Sequence, residues 1–110
     1  MPKQSIYEIT IEQYIFGNIS VDFQKIKASK NDSPIELSPR EFELLKFLVY
    51  HRGDTVSREQ LLDAVWGYDA MMFTRTVDNH IAKLRQKIEE EPENPAFILT
   101  VHRVGYRFVG

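Results

Sequence analysis

No cysteine occurs in the 110 residues, so a disulfide framework and a thiolate metal site are both excluded, and a reducing compartment suits the chain. No apolar run approaches the roughly 20 residues of a membrane-spanning helix. Lys3 is followed by a mixed segment rather than an apolar signal region, and a cytoplasmic location is expected. A basic excess is also missing: 14 Lys and Arg stand against 16 Asp and Glu, a net charge of −2 that counts against a polyanionic partner for the chain as a whole. The three histidines, His51, His80 and His102, are far apart and lack metal-ligand spacing. No phosphate-binding loop, dinucleotide fingerprint or nucleophile elbow is present. Glu41 and Glu43, two positions apart, do not face each other on a helix. Neither a metal, a cofactor nor an enzymatic activity is expected.

What is present is the composition of an ordinary globule, 43% hydrophobic and 27% charged, at a length that suits one domain with a modest core. The distribution of charge matters more than its sum. Within residues 74–88, TRTVDNHIAKLRQKI, Val77, Ile81, Leu84 and Ile88 recur at helical spacing and form one narrow apolar stripe. Arg75, Asn79, Ala82, Lys83 and Gln86 point away from it, with Thr76, His80, Arg85 and Lys87 on its shoulders. Asp78 is the acidic exception, expected to pair inside the molecule with Arg75 or Arg85. The face as a whole suits an anionic partner, or is simply solvated, as most charged helix faces are.

Along the chain, Tyr14 to Phe16, the turn residues Gly17 and Asn18, and the alternating Ile19, Val21 and Phe23 predict a hairpin. Alternation continues over 25–29, a polar turn cluster spans 30–33, and 34–37 is a short apolar-ended run, so a small antiparallel sheet is expected. Ser38 and Glu41 form a capping box, Pro39 takes the first helical position, and Leu37 with Phe42 makes a hydrophobic staple. A helix therefore starts there, with Gly53 as its stop after His51 and Arg52. Val56, Ser57, Gln60 and Leu61 repeat the device for a short second helix ended by Gly67.

The following segment, GYDAMMF (67–73), carries apolar residues that either pack beneath the loop or meet another protein. After the third helix, 89–95 is acidic and proline-interrupted and is expected to be a solvated connection. Two β-rich runs, 97–101 and 106–109, flank His102, Arg103, Val104 and Gly105 as a terminal hairpin with a cation at its tip. Sheet, three helices and hairpin outline an α+β winged helix-turn-helix, whose third helix fits the major groove of B-DNA. Lys83 and Asn79 are then candidates for base edges, Arg75, His80 and Arg85 for phosphates, and Arg103 for an adjacent minor groove or the backbone.

The segments LSPREFELLKFLVYHRGDTVSREQLLDAVWG, TRTVDNHIAKLRQKI and ILTVHRVGYRFVG resemble the DNA-binding effector domain of the OmpR/PhoB family of two-component response regulators. The resemblance covers residues 12–110, leaving 1–11 as an N-terminal tail or linker. It implies an N-terminal four-stranded antiparallel sheet, a three-helix bundle and a C-terminal β-hairpin wing. It further implies sequence-specific binding of double-stranded DNA for transcription regulation, with Thr76, Asn79 and Lys83 facing bases and Arg75, His80 and Arg85 near phosphates. The loop holding Tyr68, Asp69, Met71 and Met72 is implied to meet RNA polymerase, and the parent protein to bind tandem half-sites as a dimer. The isolated domain is expected to be monomeric and independent of membranes.

Two departures stand out. The family commonly has Arg-Gly at the wing tip where this chain has His102 and Arg103, which either shifts the cation by one position or weakens the wing contact. Ala82 replaces a basic residue of many relatives and removes one backbone contact. The family's receiver domain has no counterpart in these residues, so a longer parent protein is expected and no phosphoacceptor aspartate is assigned. The alternative is a winged-helix module whose main role is to contact the transcription machinery through the Met-aromatic loop and the acidic block.

Overall fold

Tight turns with left-handed residues build the N-terminal sheet. In the computed structural model, which describes residues 12–67 and 74–110, Gly17 lies at φ 55° between β1 (Gln13–Phe16) and β2 (Ile19–Asp22). Asn31 and Asp32, at φ 54° and 66°, connect β3 (Lys27–Lys30) to β4 (Ser33–Ile35). Two consecutive left-handed residues are what a type I′ hairpin turn demands, and Asn and Asp tolerate that conformation best after glycine. Between β2 and β3 the Asp22 carboxylate accepts the backbone N–H groups of Gln24 and Lys25 at 3.0 and 2.8 Å. This turn delays β3 to Lys27, two residues later than the alternation predicts. The strands are antiparallel in the order β1-β2-β3-β4, and Pro34 sits on the edge strand, where proline is tolerated.

Helix α1 (Pro39–Tyr50) begins as its sequence requires. Ser38 Oγ accepts the Glu41 N–H at 3.1 Å, and Glu41 Oε1 accepts the Ser38 N–H at 2.8 Å. The staple residues Leu37 and Phe42 are both buried. The helix ends at Tyr50, short of the expected stop, because the chain is already being drawn toward the C-terminal strands: the Gly53 N–H donates to Phe108 O at 2.9 Å.

A strand that the sequence pattern did not reveal, β5 (Thr55–Ser57), follows. Helix α2 (Arg58–Leu61) opens on the second capping box, with Ser57 and Gln60 bonded reciprocally at 3.0 and 2.8 Å. It runs directly into a π-helical turn, Leu62–Trp66, that Gly67 closes at φ 87°. Helix α3 (Arg75–Ile88) buries Val77, Ile81, Leu84 and Ile88 completely. β6 (Ile98–Val101) and β7 (Gly105–Phe108) then pair antiparallel, and β5 joins them in the order β5-β7-β6. Gly105 is required at the β5–β7 crossing, since a Cβ there would lie 1.9 Å from the Val56 carbonyl oxygen. The two sheets meet through Phe16, whose ring packs edge-on against Phe97 and Phe108 at 4.8 and 5.0 Å.

The acidic connection departs from expectation at its first residue. Glu89 is only 2% exposed. Its carboxylate accepts the backbone N–H groups of Ala96 at 2.7 Å, Phe97 at 3.0 Å and Ile98 at 2.9 Å. Three donors at the entrance to β6 face inward and need an acceptor, and Glu89, capping the end of α3, supplies it. The rest of the block keeps the expected character, with Glu90, Glu91 and Glu93 exposed.

Glu89→Ala leaves those donors without their acceptor and should cost about 3 kcal/mol in urea unfolding, with Glu89→Gln losing roughly half as much because one carbonyl oxygen remains. An unfolding midpoint equal to wild type for the alanine variant would contradict this assignment.

Candidate nucleic-acid interface

The four-residue stripe of α3 fixes the helix's rotation, and the rotation decides which side chains reach solvent. Arg75, Asn79, Ala82, Lys83 and Gln86 are exposed; Thr76, Asp78, His80, Arg85 and Lys87 are half-buried on the shoulders. The face and shoulders therefore fall where the helical periodicity puts them.

The shoulder residues have internal bonds. Lys87 Nζ donates to Glu41 Oε1 at 2.7 Å, pairing the last turn of α3 with a carboxylate that is 3% exposed. His80 donates its Nδ1–H to the Thr76 carbonyl oxygen, 2.9 Å away, the only sense in which a carbonyl partner permits a hydrogen bond. Its ring meets Trp66 edge-on at 4.9 Å. Arg40 carries Trp66 in turn, with its guanidinium 5.4 Å from the indole centroid and bonded to the Val65 carbonyl and to Glu43. The π-helical turn is thus held against both α1 and α3.

Arg85 is directed toward the wing. Its Nε and Nη2 donate to Ile98 O at 3.1 and 2.7 Å, and Nη2 also donates to Thr100 Oγ1 at 2.9 Å. The guanidinium lies 5.4 Å from the Tyr106 ring centroid, and burial pulls its pKa below the ordinary value. Arg58 stands near the same ring, its guanidinium 5.6 Å from the Tyr106 centroid.

Asp78 joins these groups and does so with different partners from those expected. It pairs with neither Arg75 nor Arg85. Its Oδ1 accepts Arg58 Nε at 2.7 Å and the Tyr106 hydroxyl at 2.6 Å. The bond to Asp78 raises the Arg58 pKa. Tyr106, 4% exposed, is pushed up to about 12, first by burial and then by donating to the carboxylate. Helical spacing offers only near neighbours as partners, whereas the fold brings Arg58 from α2 and Tyr106 from β7.

At the wing tip His102 and Arg103 are both exposed. Arg103 adopts φ 66°, so a cation occupies the left-handed position of the turn. Arg75, Asn79 and Lys83 on α3 and His102 and Arg103 on the wing are the exposed members of the predicted set. Tyr68, Asp69, Met71 and Met72 lie outside the described residues, as do residues 1–11. Sequence reasoning missed Arg58, Tyr106, Thr100 and Glu89. Arg58 did carry a signal: a cation in the first turn of a helix opposes the macrodipole and calls for a specific partner. Among the described residues no group of acidic, histidine or cysteine side chains is placed to hold a metal ion, and no helix is long and apolar enough to cross a membrane.

Residues 32–108 match the family described as "Transcriptional regulatory protein, C terminal". The sensory transduction protein RegX3 of Mycolicibacterium smegmatis is 42% identical over 94 residues, 86% of this chain and 41% of that protein. The alkaline phosphatase synthesis transcriptional regulatory protein PhoP of Bacillus subtilis is 41% identical over 95 residues, 86% of this chain and 40% of that protein. The chain thus spans about two fifths of these relatives. Among solved structures, the response regulator DrrB, a Thermotoga maritima OmpR/PhoB homolog, superposes with a TM-score of 0.88 at 32% identity, covering 98% of this chain and 49% of that one. The Klebsiella pneumoniae RstA DNA-binding domain in complex with the RstA box gives 0.77 at 31% identity, covering 89% and 97%.

The raised pKa of Tyr106 links stability to pH. The unfolded phenol loses its proton near 10 while the folded one holds it to about 12, so the contribution is fully present below pH 10 and is lost as pH rises through 12. Wild type should lose on the order of 2 kcal/mol more than Tyr106→Phe over that window, measured by urea unfolding at matched pH. Parallel pH profiles for the two proteins would refute the assignment.

Proposed function

Because the chain belongs to the OmpR/PhoB-type family of transcriptional regulatory protein C-terminal domains, we propose that α3 is the helix through which it reads double-stranded DNA. The domain is a DNA-binding module of transcription regulation and not an enzyme. The observation that carries the proposed geometry is the exposed row Arg75, Asn79 and Lys83 on a helix whose one acidic member is bonded internally. A major groove admits one helix, and that row then faces its floor.

In this reading Lys83 bonds guanine O6 and N7, Asn79 pairs with adenine N6 and N7, and Thr76 adds a base contact at the shoulder. Arg75 and His80 lie toward phosphates, and His102 and Arg103 carry the wing to the neighbouring groove or backbone. Arg85 stands among the proposed phosphate contacts, but its guanidinium is already bonded to β6. The unassigned contact to RNA polymerase falls to Tyr68, Asp69, Met71 and Met72. The longer parent protein would place two copies on tandem half-sites in the cytoplasm, with the isolated domain monomeric.

Selection from a randomised duplex pool, followed by gel-shift titration at several salt concentrations, tests the reading. About 4 to 6 phosphate contacts give a log-log salt slope near −4 to −5. Lys83→Ala should alter the selected sequence at one position, at a cost of about 1 to 3 kcal/mol for the preferred base. Selection of the same sequence with the same affinity by both proteins would end the assignment of Lys83.

Arg103→Gly separates two effects at the wing tip. Removing a side chain from a left-handed position should stabilise the fold by about 1 kcal/mol, while loss of the cation should weaken DNA binding and lower the salt slope by about 1. Unchanged DNA affinity in the stabilised variant would remove Arg103 from the interface.

A further inference from the structure

A helix in the major groove and a wing on the neighbouring groove read one duplex together only if the angle between them is fixed. Helix α3 is tied to the wing at two places. Asp78 accepts the hydroxyl of Tyr106 on β7, and Arg85 donates to the Ile98 carbonyl and the Thr100 hydroxyl on β6. The two attachment points are seven residues apart, about 10 Å along a helix rising 1.5 Å per residue. One tether would act as a hinge, whereas two separated tethers on adjacent strands fix an orientation. Between them the Tyr106 ring lies within 5.6 Å of the Arg58 guanidinium and 5.4 Å of that of Arg85. Arg58 also ties α2 to the same carboxylate at 2.7 Å.

We infer that Arg58, Asp78, Arg85 and Tyr106 are positioning residues for DNA reading, holding the wing at the angle from which it engages the same duplex as α3. The inference rests on the DNA-binding reading above. It also gives Arg85 a task other than phosphate contact: the charge is directed to two atoms of β6 and a ring of β7, so its effect on DNA passes through the wing.

A purely structural role would lower the population of folded protein and weaken all binding alike. A positioning role changes the ratio between binding with and without the wing. The selected duplex is therefore prepared in a short form that covers the α3 site and a form about 5 base pairs longer, half a turn, on the wing side. Affinities of wild type, Tyr106→Phe and Thr100→Ala are measured on both by fluorescence anisotropy at one salt concentration. Tyr106→Phe retains the ring beside the guanidiniums and removes the hydroxyl that donates to Asp78. Thr100→Ala alters an exposed side chain and keeps the experiment decisive if Tyr106→Phe folds poorly, as thermal unfolding by circular dichroism will report.

The long-to-short affinity ratio should drop about tenfold for Tyr106→Phe, which loses a hydrogen bond to a charged group, and about threefold for Thr100→Ala, which loses a weaker one. A ratio equal to wild type in the folded variants overturns the inference while leaving DNA binding intact. Wild-type protein that binds neither duplex above unrelated DNA overturns the DNA-binding reading and this inference together.

Discussion

One carboxylate oxygen, Asp78 Oδ1, receives an arginine from α2 and a tyrosine from β7 while its own backbone belongs to α3. The architecture around α3 converges on that atom. Removing ions from water is expensive, and a buried or half-buried pair is justified energetically only when its remaining polar atoms are satisfied. Here the second donor is a hydroxyl on a 4% exposed ring, and two guanidiniums lie near that ring's centroid. Such a cluster contributes less to net stability than an equal volume of hydrocarbon would. What it contributes is orientation: hydrogen bonds distinguish one arrangement of three elements from near alternatives that bury the same apolar area.

The same economy explains how a chain of net charge −2 keeps a cationic face. Glu41 is bonded to Lys87, Asp78 to Arg58, Glu43 to Arg40, and Glu89 to backbone N–H groups. Glu90 approaches Lys30 at 3.8 Å at the far end of α3. Carboxylates paired in this way project little field toward the exposed row of α3, and the remaining acids at 90–93 lie beyond its last turn. Pairing consumes cations as well, which is why the face retains only Arg75 and Lys83 as exposed charges between Thr74 and Ile88. Local arrangement, rather than the sum, sets the potential that a phosphate meets within a Debye length of about 10 Å.

Features encoded by neighbours in sequence were legible, and those created by distant neighbours were not. Both capping boxes, the Leu37 and Phe42 staple, and the burial of Val77, Ile81, Leu84 and Ile88 follow from spacings of three and four residues. The exposed and shoulder positions of α3 follow from the same period. Strand β5 is three residues long, too short to display alternation, and exists because Val56 and Ser57 lie against Gly105 and Tyr106. Asp78 reaches Arg58 twenty positions back and Tyr106 twenty-eight ahead, so helical arithmetic supplied the wrong arginines. Glu89 was concealed by three similar residues nearby; only the inward-facing N–H groups of 96–98 distinguish it. At the wing tip the sequence showed that Arg103 departs from Arg-Gly, but the backbone angle shows that the arginine occupies the position glycine would favour.

A recognition helix gains affinity from every added cation, yet electrostatic contacts to phosphate are indifferent to sequence. With Ala82 neutral, Lys87 bonded to Glu41 and Arg85 bonded to β6, the helix offers few groups to hold arbitrary DNA. If α3 reads DNA as proposed, its contribution to discrimination rises relative to its contribution to affinity. The affinity withheld from one helix has to come from surfaces that engage together, the wing first, and their cooperation is worth most when their mutual geometry is fixed before DNA arrives. An internally bonded Arg85 is consistent with that division of labour: one charge is withdrawn from non-specific attraction and used to make two weak contacts act as one.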